Sequence, residues 1–279
     1  MEKILTKKRI LKSKKFLNLF LTIFLCFFIL GCERAEEKLL REAHNYYKEK
    51  NYETAIITYL KLLDKNSKSK HAPFAQFEIG NIYNYNLNRY HEAVIAYQKA
   101  VSYYPDSEYS FQAQFEISEI YNKKFDQKYL AIIEYERLFK YKSMKNEFPK
   151  IHLRIIDCYV FLKKYEKAIY ELGILQKEFP EYKDKEYILF KKGLIFYQKS
   201  DFKSAKDIFE GFLRKYPESK YYLKVLYWHA QTLEELKFYK EALENYNTLL
   251  EKSYKEDIIK EKIKKVQDII KEEKKKKTR

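Results

Sequence analysis

The side chains that most often carry chemistry, cysteine and histidine, are few in this sequence and form no recognisable catalytic or metal-binding set. The five histidines are scattered, and no two stand at metal-ligand spacing or in a His-Glu-x-x-His motif. The sequence also has no glycine-rich phosphate loop and no Gly-x-Ser-x-Gly motif. It therefore predicts no metal, no cofactor, no small-molecule substrate and no enzymatic activity. The thiol of Cys32 is the one reactive group in a distinctive setting.

Cys32 ends a segment that has the layout of an export signal. A basic stretch over 3–15 is followed by an apolar stretch over 16–30. The run Ile-Leu-Gly-Cys at 29–32 resembles a bacterial lipobox. In that family the cysteine thiol is acylated and the chain is cut just before it. The resemblance implies that residues 1–31 are a signal peptide and that lipid attached to Cys32 holds the mature protein to a membrane.

The alternative reading of this segment is an uncleaved transmembrane anchor. The apolar stretch over 16–30 is shorter than the roughly 20 residues that a helix needs to span the hydrocarbon core. Charged residues follow Cys32 at once. The sequence therefore favours the cleaved lipoprotein.

Composition favours an all-helical protein. Glycine and proline number only five each in 279 residues, whereas the turns of a β protein use these residues often. The formal net charge is +16, which could attract nucleic acid. Export to the envelope argues against that function, and we expect no nucleic-acid partner.

A periodic alanine runs through the rest of the chain and is the strongest indication of its fold. Successive alanines are 38, 38, 37, 37 and 37 residues apart, a period typical of stacked supersecondary units. An aromatic or leucine residue follows each alanine by four positions, and a second such column precedes it by nine or ten. The alanines are Ala55, Ala93, Ala131, Ala168, Ala205 and Ala242.

Small residues accompany the second column. Gly80 stands three residues before Tyr83, and Gly193 stands three before Phe196. Because residues three apart share a helix face, the small residue would let a neighbouring helix approach while the aromatic ring fills the space beside it. Prolines 105, 180 and 217 are expected to mark unit boundaries, since proline cannot continue a helix.

These columns resemble the tetratricopeptide repeat (TPR), a helix-turn-helix unit. The resemblance implies an all-α fold, a TPR right-handed solenoid of about six helix-turn-helix units over residues 32–253. A generic helical bundle is the alternative, but bundles do not repeat single-residue columns. Residues 254–273 are predicted to form an amphipathic C-terminal capping helix. Residues 274–279 are predicted to be a basic tail that either solubilises the end or contacts anionic headgroups.

A TPR array offers a concave groove lined by the first helix of each unit, where a peptide or partner domain lies. Asparagine and tyrosine side chains on that face can hydrogen-bond a peptide backbone. Counting from the small-residue column, the predicted groove residues are Tyr47, Phe77, Asn81, Asn84, Tyr85, Phe115, Glu119, Asn122, Asp157 and Tyr197.

The lipobox, the early start of the repeats and the Tyr-Pro-Glu-Ser turn at 216–219 resemble the BamD family of the outer-membrane β-barrel assembly machinery. The repeats are also similar to the periplasmic TPR family that works with the Tol–Pal system. The BamD resemblance implies a non-catalytic, lipid-anchored scaffold on the periplasmic face of the outer membrane. Its partners would be a β-barrel assembly subunit and unfolded outer-membrane protein segments. The alternatives are another envelope TPR scaffold, for Tol–Pal, cell-wall, division or secretion-complex assembly, and an enzyme or surface-exposed host-interaction lipoprotein.

Overall fold

The computed structural model describes residues 35–277, which form helices and no strand. The predicted signal and Cys32 lie outside the described residues. The first helix, α1, covers residues 35–48. It is followed by α2 (Tyr52–Lys65), α3 (Ala72–Asn81), α4 (Tyr90–Tyr103), α5 (Glu108–Lys123), α6 (Lys128–Glu136), α7 (Phe148–Phe161), α8 (Tyr165–Glu178), α9 (Lys185–Gln198), α10 (Phe202–Lys215), α11 (Tyr222–Glu235), α12 (Tyr239–Glu251) and α13 (Glu256–Lys277).

Three short helices interrupt this series. A π-helix, Ile82–Asn86, continues α3, and two 3-10 helices, Arg137–Lys140 and Lys142–Glu147, separate α6 from α7. Over residues 35–277, no helix is both long enough and apolar enough to span a bilayer.

The helices form two compact units that divide after Phe125. Unit 1 holds α1 to α5, and unit 2 holds α6 to α13. Within each unit, helices that follow one another in the chain pack side by side, as α3, α4 and α5 do in unit 1 and α9, α10 and α11 do in unit 2. We call the odd-numbered helices α1 to α11 the A helices, and the even-numbered helices α2 to α12 the B helices.

The periodic alanines all lie on B helices and are fully buried. The residue four positions later is buried as well: Tyr59, Tyr97, Tyr135, Leu172, Phe209 and Tyr246. Two buried residues four apart lie on one helix face. The periodic columns therefore mark the face of each B helix that enters the core.

The small residues on the A helices receive these buried rings. A Cβ atom on Gly80 would lie 2.5 Å from Cδ1 of Tyr97, and one on Gly193 would lie 2.7 Å from Cδ1 of Phe209. Real carbon atoms keep about 3.5–4.0 Å apart. The predicted close approach of helices at the small residues is thus confirmed at both glycines.

The A and B helices of each repeat are joined by a residue in the left-handed region. Lys163 and Ser200 have φ of 56° and 66°. In five of the six turns the next amide bonds back to the second column, as Lys164 does to the carbonyl of Tyr159 at 2.8 Å. This is the Schellman arrangement at a helix C-terminus. The other residues of this column, each five positions before its alanine, are Lys50, Asn88, Asp126 and Lys237.

The π-helix that ends α3 absorbs an extra residue. Tyr83 precedes Ala93 by ten residues, as Tyr121 precedes Ala131, whereas Phe196 precedes Ala205 by nine. A single inserted residue widens one helical turn into a π-bulge, a feature found often at functional sites. In this chain the bulge carries Asn84 and Tyr85.

The last helix closes unit 2 as predicted. Ile259 and Val266 are fully buried against α11 and α12, and Ile263 and Ile270 are partly buried beside them. The helix does not stop at residue 273, because it continues to Lys277. Lysine is a good helix former, and its charge is favourable near a helix C-terminus. Most of the predicted basic tail is therefore helical.

Candidate partner-binding surface

All ten residues predicted for the groove lie on A helices or on the π-helix. Tyr47 is on α1, Asp157 is on α7 and Tyr197 is on α9. The other seven form the densest group, in unit 1: Phe77, Asn81, Asn84 and Tyr85 on α3 and its π-helix, and Phe115, Glu119 and Asn122 on α5.

Hydrogen bonds link α3 to α5 at this group. Tyr85 Oη donates to Glu116 Oε2 at 2.5 Å, and Asn84 Nδ2 donates to the same oxygen at 3.3 Å. One turn earlier, Asn81 Nδ2 donates to Glu78 Oε1 at 2.8 Å. We call these five residues the amide–carboxylate cluster. Sequence reasoning found the amides and the phenol but missed the two carboxylates, although Glu78 stands three residues before Asn81 and so shares its helix face.

The cluster combines an open ring with a buried amide. Tyr85 is 62% exposed, whereas Asn84 is only 5% exposed. Asn84 Oδ1 is buried without a hydrogen-bond partner, and an acceptor in that state costs about 1–3 kcal/mol. Burial also raises the pKa of the Glu78 carboxyl, although the hydrogen bond from Asn81 acts in the opposite direction.

A buried phenol on α4 orients Asn81. Tyr97 Oη donates to Asn81 Oδ1 at 2.7 Å. Burial raises the pKa of Tyr97 far above its usual range, so the hydroxyl keeps its proton and acts as the donor. With Oδ1 occupied, the amide nitrogen of Asn81 is directed to Glu78.

Phe77 lies in the core rather than on the predicted groove. It is 9% exposed, and its ring centroid lies 5.6 Å from that of Tyr97 and 5.8 Å from that of Tyr109. The ring fills the space between α3, α4 and α5, where aromatic pairs at such distances stabilise packing. The prediction that Phe77 faces a partner is therefore corrected.

The other predicted residues of unit 1 are partly covered. Tyr47 is half-buried and makes an edge contact with Tyr52 at 5.8 Å. Glu119 is 8% exposed and forms an ion pair with Lys123. Phe115 and Asn122 are half-buried. Their contribution to binding stays a prediction.

In unit 2, Asp157 is paired with a lysine that sequence reasoning missed. Lys191 on α9 forms an ion pair with Asp157, and its Nζ also lies 3.5 Å from Tyr187 Oη. Lys191 is only 9% exposed, so its aliphatic stem is packed while its ammonium group reaches the carboxylate. The pair joins α7 to α9 across the A helices.

Tyr197 lies among aromatic rings. Its centroid is 5.1 Å from that of Trp228 on α11 and 5.4 Å from that of Phe202. The ring is half-buried. It joins the A helices α9 and α11.

A further polar group, which sequence reasoning also missed, lies where the last helix meets α11. Glu234 accepts a hydrogen bond from Tyr246 and pairs with Lys262 at 3.2 Å and Lys265 at 3.8 Å. Burial, followed by the hydrogen bond to Glu234, raises the pKa of Tyr246 far above its usual range. This network fixes α13 on the end of the array.

The remaining reactive side chains are accounted for by packing. Cys158 on α7 is 1% exposed. Asn245 Nδ2 lies 2.9 Å from His229 Nδ1, and burial lowers the pKa of His229. In the part of the chain that the structure describes, no group of three or more His, Cys, Asp or Glu side chains is placed to hold a metal ion.

Comparison with known proteins identifies the repeats. The tetratricopeptide repeat family model matches residues 74–107 and 187–219. These segments cover most of α3 with α4, and α9 with α10, each with the turn that follows. A search of curated proteins gives no significant match.

Solved TPR structures share the fold at low sequence identity. A tetratricopeptide repeat protein from Parabacteroides merdae has a TM-score of 0.54 and 12% identity, over 78% of this chain and 79% of that chain. The C-terminal part of a TPR repeat-containing protein from Cytophaga hutchinsonii has a TM-score of 0.56 and 19% identity, over 76% and 78%. PilF of Pseudomonas aeruginosa has a TM-score of 0.50 and 11% identity, over 82% and 99%. The predicted all-α TPR fold is confirmed.

Proposed function

We propose that this TPR-fold protein is a non-catalytic, lipid-anchored scaffold in the bacterial envelope, and that it serves the assembly of β-barrel proteins in the outer membrane. The partner would lie along the A helices. Its proposed contacts are a β-barrel assembly subunit and unfolded segments of barrel proteins.

The binding function rests on the amide–carboxylate cluster. Amides, a phenol and carboxylates from α3 and α5 meet on one face, and Tyr85 presents an exposed ring there. Such groups can hydrogen-bond the backbone and contact the side chains of an extended segment. TPR arrays use their stacked helices as extended binding surfaces of this kind.

The pathway and the location rest on the sequence. The lipobox-like run at 29–32 supports attachment through Cys32, and the resemblance to the BamD family supports a position on the periplasmic face of the outer membrane. Lipid attachment would hold the repeats near the site where barrel proteins enter the bilayer.

An affinity pull-down from detergent-solubilised membranes tests the pathway, with the full chain as bait and Cys32→Ala as the unanchored control. We expect a β-barrel assembly subunit to co-purify with the wild-type chain and to be depleted with the control. Recovery of Tol–Pal, cell-wall, division or secretion proteins in its place would show that the scaffold serves another envelope process. Depletion of the protein should then leave barrel proteins at normal abundance.

A further inference from the structure

The amide–carboxylate cluster lies in an acidic part of a basic protein. The chain has a formal net charge of +16, yet α3 with its π-helix (72–86) and the first fifteen residues of α5 (108–122) contain no lysine or arginine. The same two stretches contain four glutamates, Glu78, Glu108, Glu116 and Glu119, of which Glu119 pairs with Lys123, the last residue of α5. These A helices therefore carry a charge opposite to that of the chain as a whole.

Charge is not the only feature of this face that points to a ligand. Asn84 is 5% exposed, and its amide is directed at Glu116 through Nδ2. Its other polar atom, Oδ1, is buried without a partner. An N–H or ammonium group that entered the cluster would satisfy this acceptor. Tyr85 lies beside it with 62% of its surface exposed, and an exposed tyrosine ring can hold a cation over its face.

We propose that the surface formed by α3, its π-helix and α5 binds an extended polypeptide segment that carries lysine or arginine side chains. Glu78 and Glu116 supply the negative charge, Tyr85 supplies an aromatic face for the cation, and Oδ1 of Asn84 is the acceptor that a donor group of the segment would satisfy. The inference rests on the proposed scaffold function and adds the chemistry of the partner. The choice of a basic segment follows from charge complementarity, which sets specificity and association rate.

Two short labelled peptides test the proposal by fluorescence anisotropy with the full chain in detergent. One peptide contains several lysines, and the other has glutamate at each of those positions. We expect the lysine peptide to bind more tightly at low salt and its affinity to fall as salt rises, because exposed charges are screened. Equal binding of the two peptides would overturn the proposal.

Matched variants locate the site. Glu116→Gln removes one charge but keeps an acceptor for Tyr85, and it should weaken the lysine peptide about fivefold. Glu92→Gln removes the same charge from an exposed position on the neighbouring helix α4, and it should change the affinity less than about twofold. An unchanged affinity in Glu116→Gln, or an equal loss in Glu92→Gln, would contradict the assignment.

Sedimentation distinguishes this partner from the lysine-rich end of a second copy of this chain. A dimer at low salt that both Glu116→Gln and removal of residues 274–279 abolish would overturn the inference of a separate partner. The pull-down tests the proposed pathway, and the peptide assay tests the charge of the partner. A recovered barrel-assembly subunit without lysine-peptide preference contradicts only the charge inference, whereas lysine-peptide binding without that subunit contradicts only the proposed pathway.

Discussion

Replacing Gly193 with alanine should destabilise unit 2, although alanine is the better helix former. The new Cβ would lie 2.7 Å and 2.8 Å from Cδ1 and Cζ of Phe209, whose ring is fully buried. The two must separate by about 1 Å to reach ordinary contact. Because the ring is fully buried and must move by that much, the overpacking should cost about 2–3 kcal/mol, the upper part of the usual range, and the gain in helix propensity offsets about 1 kcal/mol. We expect a net loss of roughly 1–2 kcal/mol.

Two other helical glycines provide matched controls. Gly173 on α8 and Gly211 on α10 have no neighbouring atom within 4 Å of an added Cβ. Alanine at either position should raise the free energy of unfolding by up to about 1 kcal/mol. The separation between Gly193→Ala and these controls should therefore be about 2–3 kcal/mol.

The assay is urea unfolding followed by tryptophan fluorescence. Trp228 is the only tryptophan of the chain and packs in the same core cluster as Phe209, so its emission reports this repeat. A midpoint for Gly193→Ala at or above that of Gly173→Ala would refute the reasoning. Adding Phe209→Leu should restore part of the loss. A natural precedent is the pair Ile156 and Leu172, which lie together in a neighbouring core cluster and combine a larger A-helix residue with a smaller B-helix partner.

Three further outcomes follow from the same structure. Glycine in place of Lys163 or Ser200 should raise the free energy of unfolding by about 0.5–1 kcal/mol each, because the left-handed backbone strains a side chain; thermal unfolding checks this, and alanine there should give no gain. Burial lowers the pKa of His229, so the unfolded chain binds the proton more readily and stability falls as pH drops below the usual 6.5. Urea midpoints across that range should fall less in His229→Gln, and equal pH dependence would contradict this origin. Lys191→Met should change the free energy of unfolding by less than about 1 kcal/mol, since the Asp157 side chain that it leaves without this lysine is 47% exposed. A larger loss in urea unfolding would show that the ion pair supports the fold.

The periodic columns predicted the helices and the core because both depend on residues within one helix or in adjacent helices. Ala93, Gly80 and Tyr97 share a simple packing rule, in which a small residue faces a ring. The left-handed turns were harder to predict. Glycine is the residue expected there, and this chain places lysine, asparagine, aspartate or serine instead. Their constant position, five residues before each alanine, was the available signal.

The candidate site was only partly predictable. The amides at 81 and 84 followed from counting along the repeat, but the partner carboxylate of Glu116 is 32 residues from Asn84. Which side chains meet across two A helices depends on helix rotation, and the π-bulge after Asn81 changes that rotation locally. The same dependence explains why Phe77 was assigned to the groove although it lies in the core. The ten-residue spacing from Tyr83 to Ala93 recurs from Tyr121 to Ala131, where α5 contains no π-helix, so the spacing alone did not predict the bulge.

Site-specific photo-cross-linking in cells tests the central claim most directly. A photoreactive residue at position 85, which is exposed on the π-helix that continues the A helix α3, would be compared with one at position 95, which is exposed on the B helix α4. The account predicts a protein adduct at position 85 that contains a β-barrel assembly subunit or a barrel precursor, with little adduct at position 95. No adduct at position 85, or equal adducts at the two positions, would contradict the claim that the A helices hold the partner.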